Sequence, residues 1–490
     1  MTGVRIASAA PPELGPVAPE VSPATSIKVA LPPVPAFELP AVEPGFHEPR
    51  ELRVNGRAVL DTDIKVRGTI VWIYDCVTAI AKPGEAPRDV QKRIDADPTL
   101  CERPKFYLGS TKETPLARAL WVVDVPRAPN KLEREHLPKA DLAAWPKVPK
   151  LTVGDAVVVT GKFALASPHG DTNSDGLLVF GAIAPAGKAG APVPAAATPE
   201  PAEPPAPALP AAPKPIAVDA RVRNDSIREL NACSAGVVLR KLDVAIPRCK
   251  RAVELWPGNH LAWYTLGIAS GLDWQAASEA YAKAAALRPD SAQYHLALGA
   301  ARYELAVRGA RDRRTVDFEP ARSELALALA GNADLWRAHY YLGRIARDRG
   351  LPHRASEALS RTIVLNPREA GPYVALAELY RKWDYTDLAI AIATQGTANV
   401  TAPIEQVADL WIVLGNGYDD KREPAKAIEA FTKALAAVPT SAKALFARGV
   451  AYAHVGDKAK ARADLEAFLK TDAPGLELAR QQASRMLLEK

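Results

Sequence analysis

Side chains able to ligate a metal, carry a proton or attack a carbon are the first to weigh in this chain. Asp171-Thr-Asn-Ser-Asp-Gly176 has the opening spacing of a calcium loop, D-x-N-x-D-G, in which oxygens of alternate residues converge on a hard cation. Such a loop closes on a bidentate glutamate, and the residue at that position is Ala182, inside an apolar run. The stretch therefore reads as a polar hairpin turn. None of the cysteines Cys76, Cys101, Cys233 and Cys249 has the C-x-x-C spacing of a zinc or redox site. The histidines form no ligand pair at helical spacing, and His136, His169, His295 and His454 stand isolated. G-x-S-x-G, phosphate-loop, H-E-x-x-H and G-x-G-x-x-G motifs are missing as well. With no nucleophile, base, metal or cofactor to assign, the sequence points away from an enzyme and toward surfaces that bind.

Those surfaces need elements to position them, and composition sets four zones. The chain has 490 residues, 48% of them hydrophobic, which is enough for several cores. Its 44 prolines are too many for one compact fold. Residues 1–45 are Pro-, Ala- and Val-rich without periodicity, so they read as extended and disordered. Residues 46–185 alternate in short runs, as a β domain does. Residues 186–218 form an Ala/Pro-rich linker, read as a semi-rigid tether that keeps its neighbours apart. Residues 219–490 are helical to the end. A net charge of +6 over this length gives no strong pull toward nucleic acid or anionic membrane. No apolar run is long enough to span a bilayer, and the start lacks a signal-like core, so a reduced, cytoplasmic setting is expected. In that setting Cys76 and Cys101 read as free thiols. Cys233 and Cys249 read as core residues, with a disulfide as the alternative.

In the β zone, strands are expected at Ile64–Tyr74, Lys105–Leu108, Ala117–Val125, Asp155–Phe163 and Leu177–Ile183, with a helix near Leu132–Leu137 before the fourth. Three strands, a helix and two strands is the order of a five-stranded Greek-key barrel. VRGTIVWIY together with VGDAVVVTGKF resembles the OB-fold superfamily, and that resemblance implies a barrel whose relatives commonly bind oligonucleotides or oligosaccharides. Side-chain parity bears on such a ligand. Val66, Ile70, Trp72 and Tyr74 share one face of the first strand and Lys65, Arg67 and Thr69 the other, while Trp121 goes with Val123 and Phe163 with Val159. The aromatics thus fall with the core. Lys65, Arg67, Arg118 and Lys162 are left as a mild basic face, on which only Phe106 or Tyr107 supplies a ring for single-stranded nucleic acid.

The helical zone is most legible from Ala408 to Ser441. Trp411, Leu414, Gly415 and Tyr418 share one helix face, and Pro424 opens a second helix lined by Ala427, Phe431 and Ala434. A hairpin with a surplus apolar face cannot bury it alone, so the unit should recur. It does, at or near 34 residues: Leu342, Gly343, Ala346, Ala355 and Leu359 in one copy, and Gly449, Tyr452, Ala461, Leu465 and Phe468 in another. Looser copies carry Trp263, Gly267 and Tyr281, then Leu298, Gly299 and Leu325 around an insertion. This framework resembles the tetratricopeptide repeat (TPR) family across about 270 residues. About seven hairpins are expected, sealed by a last helix through Leu476, Ala479, Ala483 and Leu487. Arg308-Gly-Ala-Arg-Asp-Arg-Arg314 is a basic inter-helix loop, and Gln395–Pro403 breaks the register where a bend or hinge is expected.

The TPR resemblance implies a solenoid whose first helices line a groove that holds a partner protein segment. Carried onto this chain, the lining residues are Arg337, Tyr340, Arg344 and Arg347, then Glu378 and Arg381, then Asp409, Asn416 and Asp419, then Lys443, Phe446 and Ala453. A basic stretch beside an acidic one implies a partner of mixed charge with carboxylates near Arg344, Arg347 and Arg381. The asparagine- and lysine-rich clamp of chaperone-tail binders is not reproduced, because Asn416 stands almost alone. The expected function is a non-enzymatic adaptor with the barrel as a second interaction module. The alternative is a barrel that binds single-stranded nucleic acid or glycan while the repeats recruit partners.

Overall fold

In a computed structural model of the chain, the described residues are 27, 29–38, 42–81, 85–187, 207–214, 216–308, 310, 316–401, 403–473 and 475–488. The expected N-terminal and linker segments lie largely outside them. The described residues form two compact units, one drawn from 200–376 with residues before Pro35, the other from 35–199 together with 377–490.

The second unit begins with a closed five-stranded barrel. Its strands are β1 (Thr62–Ile73), β2 (Phe106–Gly109), β3 (Leu120–Val123), β4 (Ala156–Ala166) and β5 (Thr172–Pro185), in spatial order β1-β2-β3-β5-β4. β1 closes the barrel by pairing antiparallel with β4, and β3 runs parallel to β5. Short helices surround it. These are α1 (Pro49–Asn55) before β1, α2 (Cys76–Ile80) and α3 (Pro87–Ala96) after it, and α4 (Lys131–His136) and α5 (Lys139–Ala143) between β3 and β4. Alternation along each strand sends Ile64, Val66, Ile70, Phe106, Leu108, Leu120, Val122, Val157, Val159, Phe163 and Leu178 into one core. Gly176, at φ +95, lies against the Phe163 ring, where a Cβ would stand 2.1 Å from the ring carbon.

Three expectations are corrected here. Asp171–Gly176 is not the turn itself: the Ser167 hydroxyl accepts from the His169 and Asp171 amides to make the turn, and β5 starts at Thr172. Trp72 and Trp121 do not join the core. A register shift between Ile70 and Trp72 turns Trp72 outward opposite Tyr107, and in β3 the barrel core takes Leu120 and Val122, so Trp121 lies on the other face, packed against the smaller cluster of Val123, Ala164 and Leu177. Cys76 and Cys101 are not free thiols but a disulfide, while Cys233 and Cys249 lie in the core as expected and form the disulfide held as the alternative, with Cα separations of 5.4 and 5.2 Å. The first closes the loop that carries α2 and α3, and the second ties two adjacent helices.

Those helices open a series of hairpins. The pairs are α6 (Ala220–Val238) with α7 (Leu242–Leu255), α8 (His260–Ala269) with α9 (Trp274–Leu287), and α10 (Ala292–Arg308) with α11 (Glu319–Gly331). They continue as α12 (Trp336–Asp348) with α13 (Pro352–Leu365), α14 (Ala370–Lys382) with α15 (Thr386–Asn399), α16 (Ile404–Asp420) with α17 (Pro424–Ala437), and α18 (Ala442–His454) with α19 (Lys458–Leu469). A final helix, α20 (Glu477–Leu488), follows. Small residues set the spacing inside a hairpin: a Cβ on Gly267 or Gly415 would stand 2.4 Å from the Tyr281 or Phe431 ring. The turn between paired helices repeats too, with Arg240, Gly271, Gly350, Asp384, Arg422 and Gly456 all at positive φ. Leu476, Ala479, Ala483 and Leu487 of the closing segment join Leu465 and Phe468 in one cluster, as the sequence implied. The register break shrinks to 400–403, because Gln395–Asn399 continue α15 and α16 starts early, at Ile404. Of the basic loop, only Arg308 and Ala310 are described, and Arg308 donates to the Leu272 carbonyl.

Candidate functional site

In the first unit, α12 presents the groove residues expected from sequence. Arg344 is the centre of the group. Its guanidinium lies 4.5, 5.6 and 5.5 Å from the ring centres of Tyr303, Tyr340 and Tyr341, and Nη1 donates to Glu304 at 2.7 Å. Burial opposes its charge, but Tyr303, Tyr340, Glu304 and Tyr341 outweigh that and hold its pKa above the ordinary value. Arg347 donates to Asp348 at 3.0 Å, and Asp348 accepts a 2.6 Å bond from the Tyr303 hydroxyl. Arg337 stacks 4.8 Å over Trp336, and burial raises the Tyr340 pKa. The carboxylates that the sequence reading assigned to a partner are supplied to Arg344 and Arg347 by Glu304 and Asp348 of the chain itself.

In the second unit, Arg381 donates through Nε to Asp420 at 2.7 Å. Glu378 is exposed and Asn416 half-buried. Burial raises the Asp409 pKa, against the opposing charge of Lys443. Asp419 meets His454 at 3.4 Å, Phe446 packs 5.2 Å from Phe468, and Ala453 is half-buried. A constellation that parity and periodicity did not reveal stands beside these. Asp384, at φ 62 in the α14–α15 turn, takes Arg50 and Arg53 of α1 and Arg118 from the turn just before β3. Arg53 also donates to the Lys382 carbonyl at 2.8 Å, Arg118 also reaches Asp420, and Lys382 pairs with Asp175 at 2.8 Å. Burial lowers the Arg53 pKa, and Asp384 works against that effect. The barrel is thereby held to α14–α16 by its own arginines. Within this unit the expectation that barrel and repeats are kept apart is corrected.

Residues 412–476, across the sixth and seventh hairpins, match the family model described as tetratricopeptide repeat. The match is confined to those two hairpins, and the hairpins before them repeat the same helix–turn–helix plan. Among solved structures, the Cut9–Hcn1 hetero-tetramer of APC/C matches at 17% identity and TM-score 0.41, over 55% of this chain and 54% of that one, so the match spans about half of that chain. Pseudomonas aeruginosa pilF matches at 16% identity and TM-score 0.37, over 46% of this chain and 96% of that one. A tetratricopeptide repeat protein from Parabacteroides merdae ATCC 43184 matches at 15% identity and TM-score 0.41, over 54% and 99%. A comparison with curated proteins gave no significant match.

On the barrel, the expected basic face is divided. Lys65 is exposed, and Lys162 pairs with Asp61 at 3.2 Å. Arg67 is engaged by Glu43 at 2.9 Å and stacks 4.9 Å from Phe46. Arg118 belongs to the Asp384 clasp instead. Phe106 is a core residue. The outer face of β1–β3 carries a row of rings, with Trp72 4.6 Å from Tyr107 and Tyr107 stacked 5.6 Å from Trp121. Tyr107 is only 1% exposed, and burial pushes its pKa up. A cavity of about 370 Å³ lies there, lined by Trp72, Tyr74, Tyr107, Asp75 and by Gln481 and Met486 of α20. Among the described residues no helix is long and apolar enough to cross a membrane.

Proposed function

We propose that the protein is a non-enzymatic adaptor whose first-helix face, at Arg337, Tyr340, Arg344 and Arg347, holds an extended segment of a partner protein. The observation that carries this reading is the half-buried pair Tyr340 and Arg344, held in place by the buried rings of Tyr303 and Tyr341. Arginine and tyrosine fixed in one geometry contribute binding energy at little ordering cost, as interface anchors do. Because Glu304 and Asp348 already neutralise Arg344 and Arg347, the contact depends on ring and guanidinium faces more than on net charge. Partner association should then weaken only modestly between low and physiological salt. The test compares wild type with Tyr340→Ala and Arg347→Ala. Loss of the partner from both, with unchanged helical content, supports the reading, and an unchanged partner set removes the contact from this face. In the same scheme the barrel is a second module fastened to the later repeats through Asp384.

The ring row on β1–β3 favours a second reading, in which the barrel binds single-stranded nucleic acid or glycan. A labelled oligonucleotide titrated into the full chain at low salt tests it: binding weakened by Trp121→Ala supports it, and no binding ends it. The compartment is open to the same kind of reasoning. A cytoplasmic setting was expected with free thiols, and two disulfides instead favour an oxidising one. Alkylation of protein taken directly from cells, read by mass, distinguishes the two.

A further inference from the structure

The segment Pro35-Ala-Phe-Glu38 precedes the barrel, yet its aromatic residue belongs to the repeats. Phe37 is 3% exposed. Its ring centre lies 6.0 Å from Tyr380, 5.3 Å edge-on from Trp383 and 5.7 Å edge-on from Tyr385. The Glu38 amide donates to the Tyr385 hydroxyl at 3.3 Å. Phe37 also has φ 49, a backbone state that a bulky residue keeps only where its surroundings enforce it. The cage is built wholly from the end of α14 and the turn to α15, and its occupant comes from 347 residues away along the chain by the Glu38–Tyr385 separation.

Site and occupant are therefore separable pieces of chemistry. We propose that Tyr380, Trp383 and Tyr385 form a peptide-binding cage on the repeat array, specific for a phenylalanine that follows a proline-rich segment, and that Phe37 occupies it in cis. This site is distinct from the first-helix groove and does not rest on it. The prolines at 32, 33 and 35 pre-extend the segment ahead of Phe37, so the freedom lost on seating it is concentrated at Phe37 itself. Tethering sets its effective concentration on the order of mM, which excludes a weaker free peptide. Asp384 lies between two cage residues, so the turn that holds Phe37 also holds Arg50, Arg53 and Arg118 of the barrel. A segment of the same chemistry arriving in trans must displace Phe37 from the turn that anchors the barrel.

The probe is a fluorescein-labelled peptide with the sequence of residues 31–38, LPPVPAFE, titrated by anisotropy into full-length protein. Phe37→Ala should bind it at least about tenfold more tightly than wild type, and Phe37→Ala with Trp383→Ala should lose that binding. Equal affinity for wild type and Phe37→Ala overturns the proposal, as does no binding to a Phe37→Ala protein of native helical content. A measurement that does not need the Phe37 variant is hydrogen exchange at the Glu38 amide. Trp383→Ala should speed it at least about tenfold, and an unchanged rate overturns the proposal.

Discussion

Asp384→Gly should weaken the protein even though it installs the residue that three sister turns use. Gly271, Gly350 and Gly456 occupy the same left-handed position, at φ 57, 73 and 79, with no backbone penalty. Asp384 gives up about 1 kcal/mol there relative to glycine. Against that relief stand Arg53 and Arg118, whose side chains are 12% and 19% exposed, and Arg50, which at 40% exposed adds little. Removing the shared carboxylate from largely buried guanidiniums costs about 3–4 kcal/mol, short of the full buried-pair penalty because Arg53 keeps the Lys382 carbonyl and Arg118 keeps Asp420. The net loss should be about 2–3 kcal/mol. Urea unfolding followed by tryptophan fluorescence measures it. The decisive comparison repeats Asp384→Gly in an Arg53→Ala/Arg118→Ala background, where the backbone relief is opposed only by the weak, exposed Arg50 pair and the substitution should be neutral or stabilising by up to about 1 kcal/mol. Equal effects in the two backgrounds, or a stabilising effect in wild type, would refute the reasoning.

Further expectations follow from packing, titration and cross-linking. Gly415→Ala should cost about 1–3 kcal/mol, since the new Cβ would meet the Phe431 ring at 2.4 Å; a change below about 0.5 kcal/mol in thermal unfolding would contradict that packing. Burial lowers the His295 pKa, but Glu324 at 2.6 Å and the Pro289 carbonyl at 3.0 Å outweigh it, so the folded pKa is raised. The stabilisation from His295 is complete below its unfolded value, about 6.5, and fades as pH rises through the higher folded value. An NMR titration midpoint for His295 at or below the unfolded value would contradict this. Reducing Cys233–Cys249, 16 residues apart, should lower stability by about 3 kcal/mol, read by unfolding with and without a phosphine reductant.

The repeat region was legible because its signal is redundant. Gly267, Gly343, Gly415 and Gly449 recur in phase with Tyr281, Leu359, Phe431 and Leu465, so one loose copy does not obscure the rest. The barrel's strand order was legible as well, but its outer face was not. Parity counts two residues per repeat, and one register shift between Ile70 and Trp72 reverses every assignment after it. The clasp at Asp384 left no sequence signal other than an acidic residue where glycine is usual, and its arginines come from more than 260 residues away. Phe37 was hidden for the opposite reason: proline-rich composition predicts extension, and an extended chain is still free to seat one ring. The Cys76–Cys101 disulfide was hidden because nothing in the sequence signals an oxidising compartment, whereas Cys233–Cys249 stood as the alternative to core thiols.

The adaptor reading is tested most directly by photo-crosslinking from p-benzoylphenylalanine placed at position 340 on α12 and, in a separate protein, at Val364 on α13, which is 50% exposed. The expected result is a partner adduct from position 340 and none from 364. Adducts of equal yield from both, or from 364 alone, would contradict a partner held on the first-helix face.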